Sequence, residues 1–135
     1  MLGLKFLGRF RELGLLAMRV GLGLIFLVHG SGKMFGGPEA WTQIGGAMSL
    51  LGVGFAPTFW GFMAAFAEFG GGVFFILGFL FRPAAIMLTF TMLVATNVHI
   101  SKGDAFGVYS HALTLAVVFF GLSFIGPGKL SIDGE

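Results

Sequence analysis

Glu68 stands in the run AAFAEFGGG (64–72), inside a stretch that is apolar or small from Phe59 to Phe81. A carboxylate in such surroundings can pair with a cation, carry a proton or accept a hydrogen bond from a ligand. Three histidines, His29, His99 and His111, sit in three other apolar stretches, accompanied by Lys33, Asn97 and Tyr109. Imidazoles exchange protons near neutral pH and bind metals or haem iron. Arg19 is the cation inside the first apolar stretch, and so the expected partner of Glu68. The chain has no cysteine, which excludes disulfides, thiolate metal ligands, thiol redox steps and covalent c-type haem.

The elements that must position these groups are set by composition. Of 135 residues, 56% are hydrophobic and only 10% charged, against about 25% charged in a soluble domain. A chain this short cannot hide so much apolar surface, so its solvent is lipid. The 24 glycines suit close helix–helix approach in a bilayer. The net charge of +2 forms no nucleic-acid patch, and no nucleic-acid partner is expected.

A spanning helix needs about 20 mostly apolar residues. Four segments qualify, at 13–33, 59–79, 84–100 and 109–125. The breaks between them carry FRP (81–83), SKGD (101–104) and GPGK (126–129). The expected fold is all-α: one polytopic membrane domain over 1–135, a bundle of four transmembrane helices. Lys5, Arg9, Arg11, Arg82 and Lys129 fall on one side, Lys33 and Lys102 on the other. The richer side is cytoplasmic, which puts both termini inside. Residues 1–12 read as a basic interfacial helix and 38–51 as an outer interfacial helix anchored by Trp41. Arg19 interrupts the first apolar run and no A-x-A site follows, so the N-terminal segment is read as retained and not as a cleaved signal.

With that topology, His29, Lys33, Asn97, His99, Tyr109 and His111 all fall in the outer part of the bundle. Glu68 lies about 13 Å from the start of its span. Its face, Gly61–Ala65–Glu68–Gly72, is small and suits a helix partner. The expectation is an outward-facing polar pocket with Glu68 at its floor, paired with Arg19 or carrying a proton. A charge at that depth costs a few kcal/mol or more. An Arg19–Glu68 pair that only fixes helix register is the structural alternative.

A head group such as a quinone ring needs only hydrogen-bonding groups and a proton carrier, which His, Tyr and Glu supply. Haem or a metal is the less favoured reading, because no two histidines share one helix at ligand spacing; no metal site is assigned. HGSGK (29–33) is not a phosphate loop, since Leu27 stands where its first glycine belongs and Met34 follows the lysine. VHGSGKMFGG (28–37) echoes VHISKGDAFG (98–107), and both close an outward-running helix, as a duplicated two-helix unit would.

RVGLGLIFLVHGSGKMFG (19–36), AFAEFGGGVFFILGFLFRPAA (65–85) and YSHALTLAVVFFGLSFIGPGKLSID (109–133) resemble the DoxX family of small bacterial membrane proteins over nearly the whole chain. The matching positions are Arg19, Gly23, Lys33, Glu68, Gly71 and Arg82. The resemblance implies a four-helix protein of the bacterial cytoplasmic membrane. It also implies a link to quinone-dependent redox assemblies, since the family takes its name from a subunit associated with a terminal quinol oxidase. The leading expectation is an accessory subunit of such an assembly, with membrane protein partners or self-association. The alternatives are a stand-alone membrane oxidoreductase, a proton-coupled carrier of small solutes, and a structural homo-oligomer in envelope stress.

Overall fold

The computed structural model describes residues 3–135; the first two residues of the expected interfacial helix 1–12 lie outside the described residues. Four long helices make the bundle: α1 (Arg11–Met34), α3 (Pro57–Leu77), α4 (Phe81–Ser101) and α5 (Phe106–Ile125), with a short α2 (Gly37–Gly45) after the first. At 1.5 Å per residue each long helix reaches about 30 Å or more, the thickness of a bilayer core. All four are apolar enough to cross it. A tight 3-10 turn, Lys5–Phe10, runs straight into α1, and a second, Gly46–Leu51, follows α2.

Local chemistry explains the helix ends. Pro57 opens α3 at a position where the missing N–H is not needed. Gly78, with φ of 65°, closes it in the left-handed region that glycine reaches without a Cβ penalty. The α4 helix begins at Phe81, three residues ahead of the expected 84, because a distant side chain caps it. The Leu80 and Phe81 N–H groups donate to the two carboxylate oxygens of Asp133, at 3.1 and 3.0 Å.

The packed core lies toward the end of the bundle that carries both termini. Phe75 packs on Phe81 with tilted rings, centroids 4.5 Å apart, and meets Phe119 edge-on at 5.4 Å. Phe26 reaches Phe119 from α1 at 5.1 Å. Helices α1 and α3 touch backbone to backbone. A Cβ on Gly23 would stand 2.7 Å from the Gly72 carbonyl oxygen, and one on Gly72 would stand 2.7 Å from that of Gly23. Any side chain at either position would force the helices apart.

The C-terminal tail closes that same end. Ile132 and Asp133 N–H groups donate to the carbonyls of Leu77 and Gly78. Arg82 donates to the last carbonyls of α5, Ser123 and Phe124, and pairs with Glu135 at 2.9 Å. At the opposite end α2 lies across the N-terminal half of α3, with Gly45 against the Pro57 backbone and Gly61 against the Trp41 backbone. The Trp41 indole N–H donates to the Lys33 carbonyl at 3.0 Å and ties α2 to the end of α1.

Candidate functional site

The cation beside Glu68 is Lys33, not the expected Arg19. Lys33 Nζ donates to Glu68 Oε1 at 2.8 Å. The reason is the register of α1 against α3. Gly23 packs on Gly72, and Gly30 packs on the backbone of Glu68 and Phe69. Glu68 is therefore level with Gly30, eleven residues or about 16 Å of helix rise beyond Arg19. Lys33 is one turn past Gly30 on the same side and reaches back along its own stem.

Arg19 has a different task. Its Nε donates to the Phe75 carbonyl at 3.2 Å and Nη2 to that of Ile76 at 3.2 Å. Nη1 donates to Pro127 at 3.1 Å and Leu130 at 2.9 Å. One guanidinium thus satisfies two carbonyls at the C-terminal end of α3 and two of the tail. In lipid those acceptors have no water to turn to.

Glu68 borders a cavity of about 620 Å³ between α3 and α4, roofed by α2 and the turn after it. Its wall is mostly apolar, from residues such as Met63, Ala64, Met87 and Val94. Two residues of that wall each carry a buried polar atom without a hydrogen-bond partner, Glu68 at Oε2 and Trp60 at the indole Nε1. A buried polar atom left unpaired is costly and calls for an explanation. Glu68 and Trp60 are polar residues in the lining of this largely apolar cavity, and a few polar side chains on an apolar wall are the make-up of a small-molecule site. Ile86 and Phe90 of α4 line the cavity yet are exposed on the outside of the bundle, on the side of the lipid.

The expected polar cluster is only partly assembled. Lys33 and His99 line the cavity with Glu68; His29, Asn97, Tyr109 and His111 do not. A helix turns about 100° per residue, so His29, next to buried Gly30, falls on the flank with Ile25 and Val28 and is exposed. Asn97 lies off the cavity stripe of α4, which runs through Phe90, Val94, Val98 and His99. Tyr109 and His111 open α5, which packs on the other side of α4 through Ala112, Ala116 and Phe119. With the histidines apart, one chain does not assemble an imidazole pair for haem. Among the described residues no three His, Asp or Glu side chains converge on a shared ion.

Two features of the site escape the sequence reading above. Trp60 lies one turn from Ala64 and two from Ala67 and Glu68, a spacing that shares their face. Asp104 accepts from or pairs with His99 Nδ1 at 2.8 Å. The signal for that pair is the order His99–x–x–x–Gly103–Asp104. Gly103, with φ of 79°, donates to the Ile100 carbonyl, and the Asp104 N–H donates to that of His99. These are the two bonds of a Schellman cap, which folds the residue after the glycine back over the last turn.

Four helices long and apolar enough to span a bilayer, with a largely apolar cavity between α3 and α4, define a multi-pass α-helical membrane protein. The chain belongs to the DoxX family, whose model matches residues 14–100. It is similar to inner membrane protein YqjF of Escherichia coli (strain K12), 32% identical with 93% of each chain covered. It is also similar to inner membrane protein YphA of the same organism, 27% identical over 93% of this chain and 92% of the relative. A Bacillus subtilis (strain 168) protein named "Putative oxidoreductase CatD" is 30% identical over 90% of this chain and 86% of its own. No solved structure matches the chain.

Proposed function

We propose that this protein is a membrane module of a quinone-linked redox assembly and that the cavity beside Glu68 receives the quinone head group. The observation that carries the reading is a largely apolar cavity lined by Glu68 and Trp60, each of which holds a buried polar atom, Oε2 and Nε1, that no protein group satisfies. A quinol ring offers a hydroxyl to the carboxylate, and a quinone ring offers a carbonyl to the indole N–H. The volume of about 620 Å³ lies within the usual range for small-molecule sites. The exposed edge at Ile86 and Phe90 gives an apolar tail a route into the bilayer. The word oxidoreductase in the name of the CatD relative agrees with redox work.

A quinone would supply the two-electron, two-proton chemistry, and the chain itself positions and exchanges protons. Lys33 holds Glu68 in place through Oε1 and leaves Oε2 without a protein partner. Trp60 adds one N–H donor for a ring carbonyl. Electrons enter or leave through a partner protein, because the chain contains no cysteine and no nucleotide motif.

Mass spectrometry of the complex released from native membranes in mild detergent tests this. Retained quinone together with stoichiometric redox subunits is the expected result. Copies of this chain alone, without quinone, would overturn it and favour a stand-alone homo-oligomer.

A further inference from the structure

The cavity has a second polar station that the Lys33–Glu68 pair does not explain. His99 lines the same cavity from the outer end of α4. Its Nδ1 is held by Asp104 at 2.8 Å, and both side chains are about one-third exposed, at 37% and 33%. A Schellman cap ordinarily brings an apolar residue after the glycine against the last helical turn. Here the same fold brings a carboxylate against an imidazole instead. The cap would form without this pair, since its two bonds are made by backbone alone. The side-chain contact is an addition to the turn, and it has a chemical consequence. A carboxylate on Nδ1 selects the Nδ1–H tautomer of the neutral ring and leaves Nε2 bare, an acceptor for the space the ring lines.

We propose that His99, oriented by Asp104, is the proton-exchange group of the cavity, taking a proton at Nε2 from a hydroxyl of the bound head group and releasing it toward the outer aqueous side. This rests on the quinone reading above. In the step one O–H bond breaks and one N–H bond forms at Nε2. The new positive charge on the ring faces the Asp104 carboxylate, and no electron passes through the pair. The ring resets by losing the proton from Nε2 to water, which its one-third exposure permits. The other charged groups on the cavity are Lys33 and Glu68, which engage each other, and Lys102 beside the cap. From α2 the polar group facing the cavity is Gln43, which is neutral. His99 is the one histidine that combines access to the cavity with a carboxylate on its far nitrogen.

The test uses full-length protein in nanodiscs, labelled with 15N-histidine in a His29→Gln/His111→Gln background, so that only His99 is observed. The probe is a decyl-tailed benzoquinol, and its binding is measured separately by photo-crosslinking. Three results are expected. The neutral ring carries its proton on Nδ1; the Nε2 resonance shifts when the benzoquinol binds; and Asp104→Asn, which replaces the anionic acceptor on Nδ1 by a neutral amide able to donate or accept, weakens the Nδ1–H preference and reduces that shift. Crosslinking should change less than about threefold in Asp104→Asn, because hydrogen-bond orientation and not the apolar wall is altered. Asp104→Glu should restore the Nδ1–H tautomer. A bound benzoquinol that leaves Nε2 unmoved would overturn the proton-exchange role and spare the quinone reading. An equal shift in Asp104→Asn would overturn the role of Asp104. Absence of any crosslinking to the cavity wall would remove both the reading and this inference.

Discussion

Lys33 Nζ lies 2.8 Å from Glu68 Oε1, and the two partners differ in surroundings: the glutamate side chain is 5% exposed and the lysine 41%. The carboxylate is committed to the interior, while the ammonium still reaches the rim. Such a pair fixes the outer end of α1 against α3. It also holds one carboxylate oxygen and leaves the other available, which a symmetric bidentate arginine fork would not do.

Removing one member of the pair strands the other. In a double-mutant cycle of Lys33→Gln and Glu68→Gln, a coupling of about 1–2 kcal/mol is expected, within the range for residues in direct contact. The half-exposed lysine keeps it below the about 3–5 kcal/mol of breaking a fully buried pair. The cycle of Arg19→Gln with Glu68→Gln should instead be additive within about 0.5 kcal/mol. Unfolding in nanodiscs measures both, and strong coupling of Glu68 to Arg19 would contradict the register of α1 on α3.

Arg19→Lys tests the other cation. Four carbonyls from α3 and the tail receive the guanidinium, and an ammonium cannot match that planar fork. Hydrogen bonds from charged groups are worth about 1.5–3 kcal/mol each, so losing even one or two should cost about 2–4 kcal/mol. The tail should also loosen. Trypsin cuts the tail after Lys129, whose own N–H is held by the Glu12 carboxylate at 2.6 Å. Cleavage after Lys129 should speed up at least about tenfold in Arg19→Lys; an unchanged rate would mean that the tail docks without Arg19.

The spans and the buried faces were legible because lipid imposes simple rules on length and polarity. Arg19, Gly23, Phe26 and Gly30 do share the buried stripe of α1. Pairing was not legible, because it depends on how far one helix is shifted along another. Gly23 and Gly72 set that shift through backbone contact, and a sequence shows glycines without showing which ones meet. The outer cluster failed for a related reason. Residues at the same depth can point to different sides, as His29 and His99 do. Thr89 and Thr96 of α4 donate to their own helix, at the Ala85 and Met92 carbonyls, and bring no free hydroxyl to the site. The Asp133 cap on α4 joins positions more than 50 apart in the chain, beyond any short motif.

The glycine contact itself is open to test. Gly72→Ala would place a Cβ 2.7 Å from the Gly23 oxygen and the Leu27 nitrogen, backbone atoms that cannot rotate away. Overpacking of this kind costs about 1–3 kcal/mol. Gly21→Ala, on the same helix as Gly23 but with nothing near, should be neutral or stabilising by up to about 1 kcal/mol. A Gly72→Ala protein no less stable than Gly21→Ala, read from unfolding in nanodiscs, would show that close backbone approach does not govern the α1–α3 contact.

Filling the cavity separates ligand binding from bundle stability. Ala64 lines the cavity one turn from Glu68 and is only partly buried. In Ala64→Phe the added ring has open space to enter, so the bundle should stay folded, with stability changed by about 1 kcal/mol or less, smaller than the strain of overpacking a closed core. The ring would occupy the volume between Glu68 and Trp60 that the head group needs. Quinone retained through purification should fall at least about tenfold, or about 1.4 kcal/mol in binding. His29→Gln, on the lipid-facing flank, should leave retention unchanged. Full retention in a folded Ala64→Phe protein would place the ligand elsewhere, and the unpartnered Glu68 and Trp60 atoms would then need an ordered water as their partner.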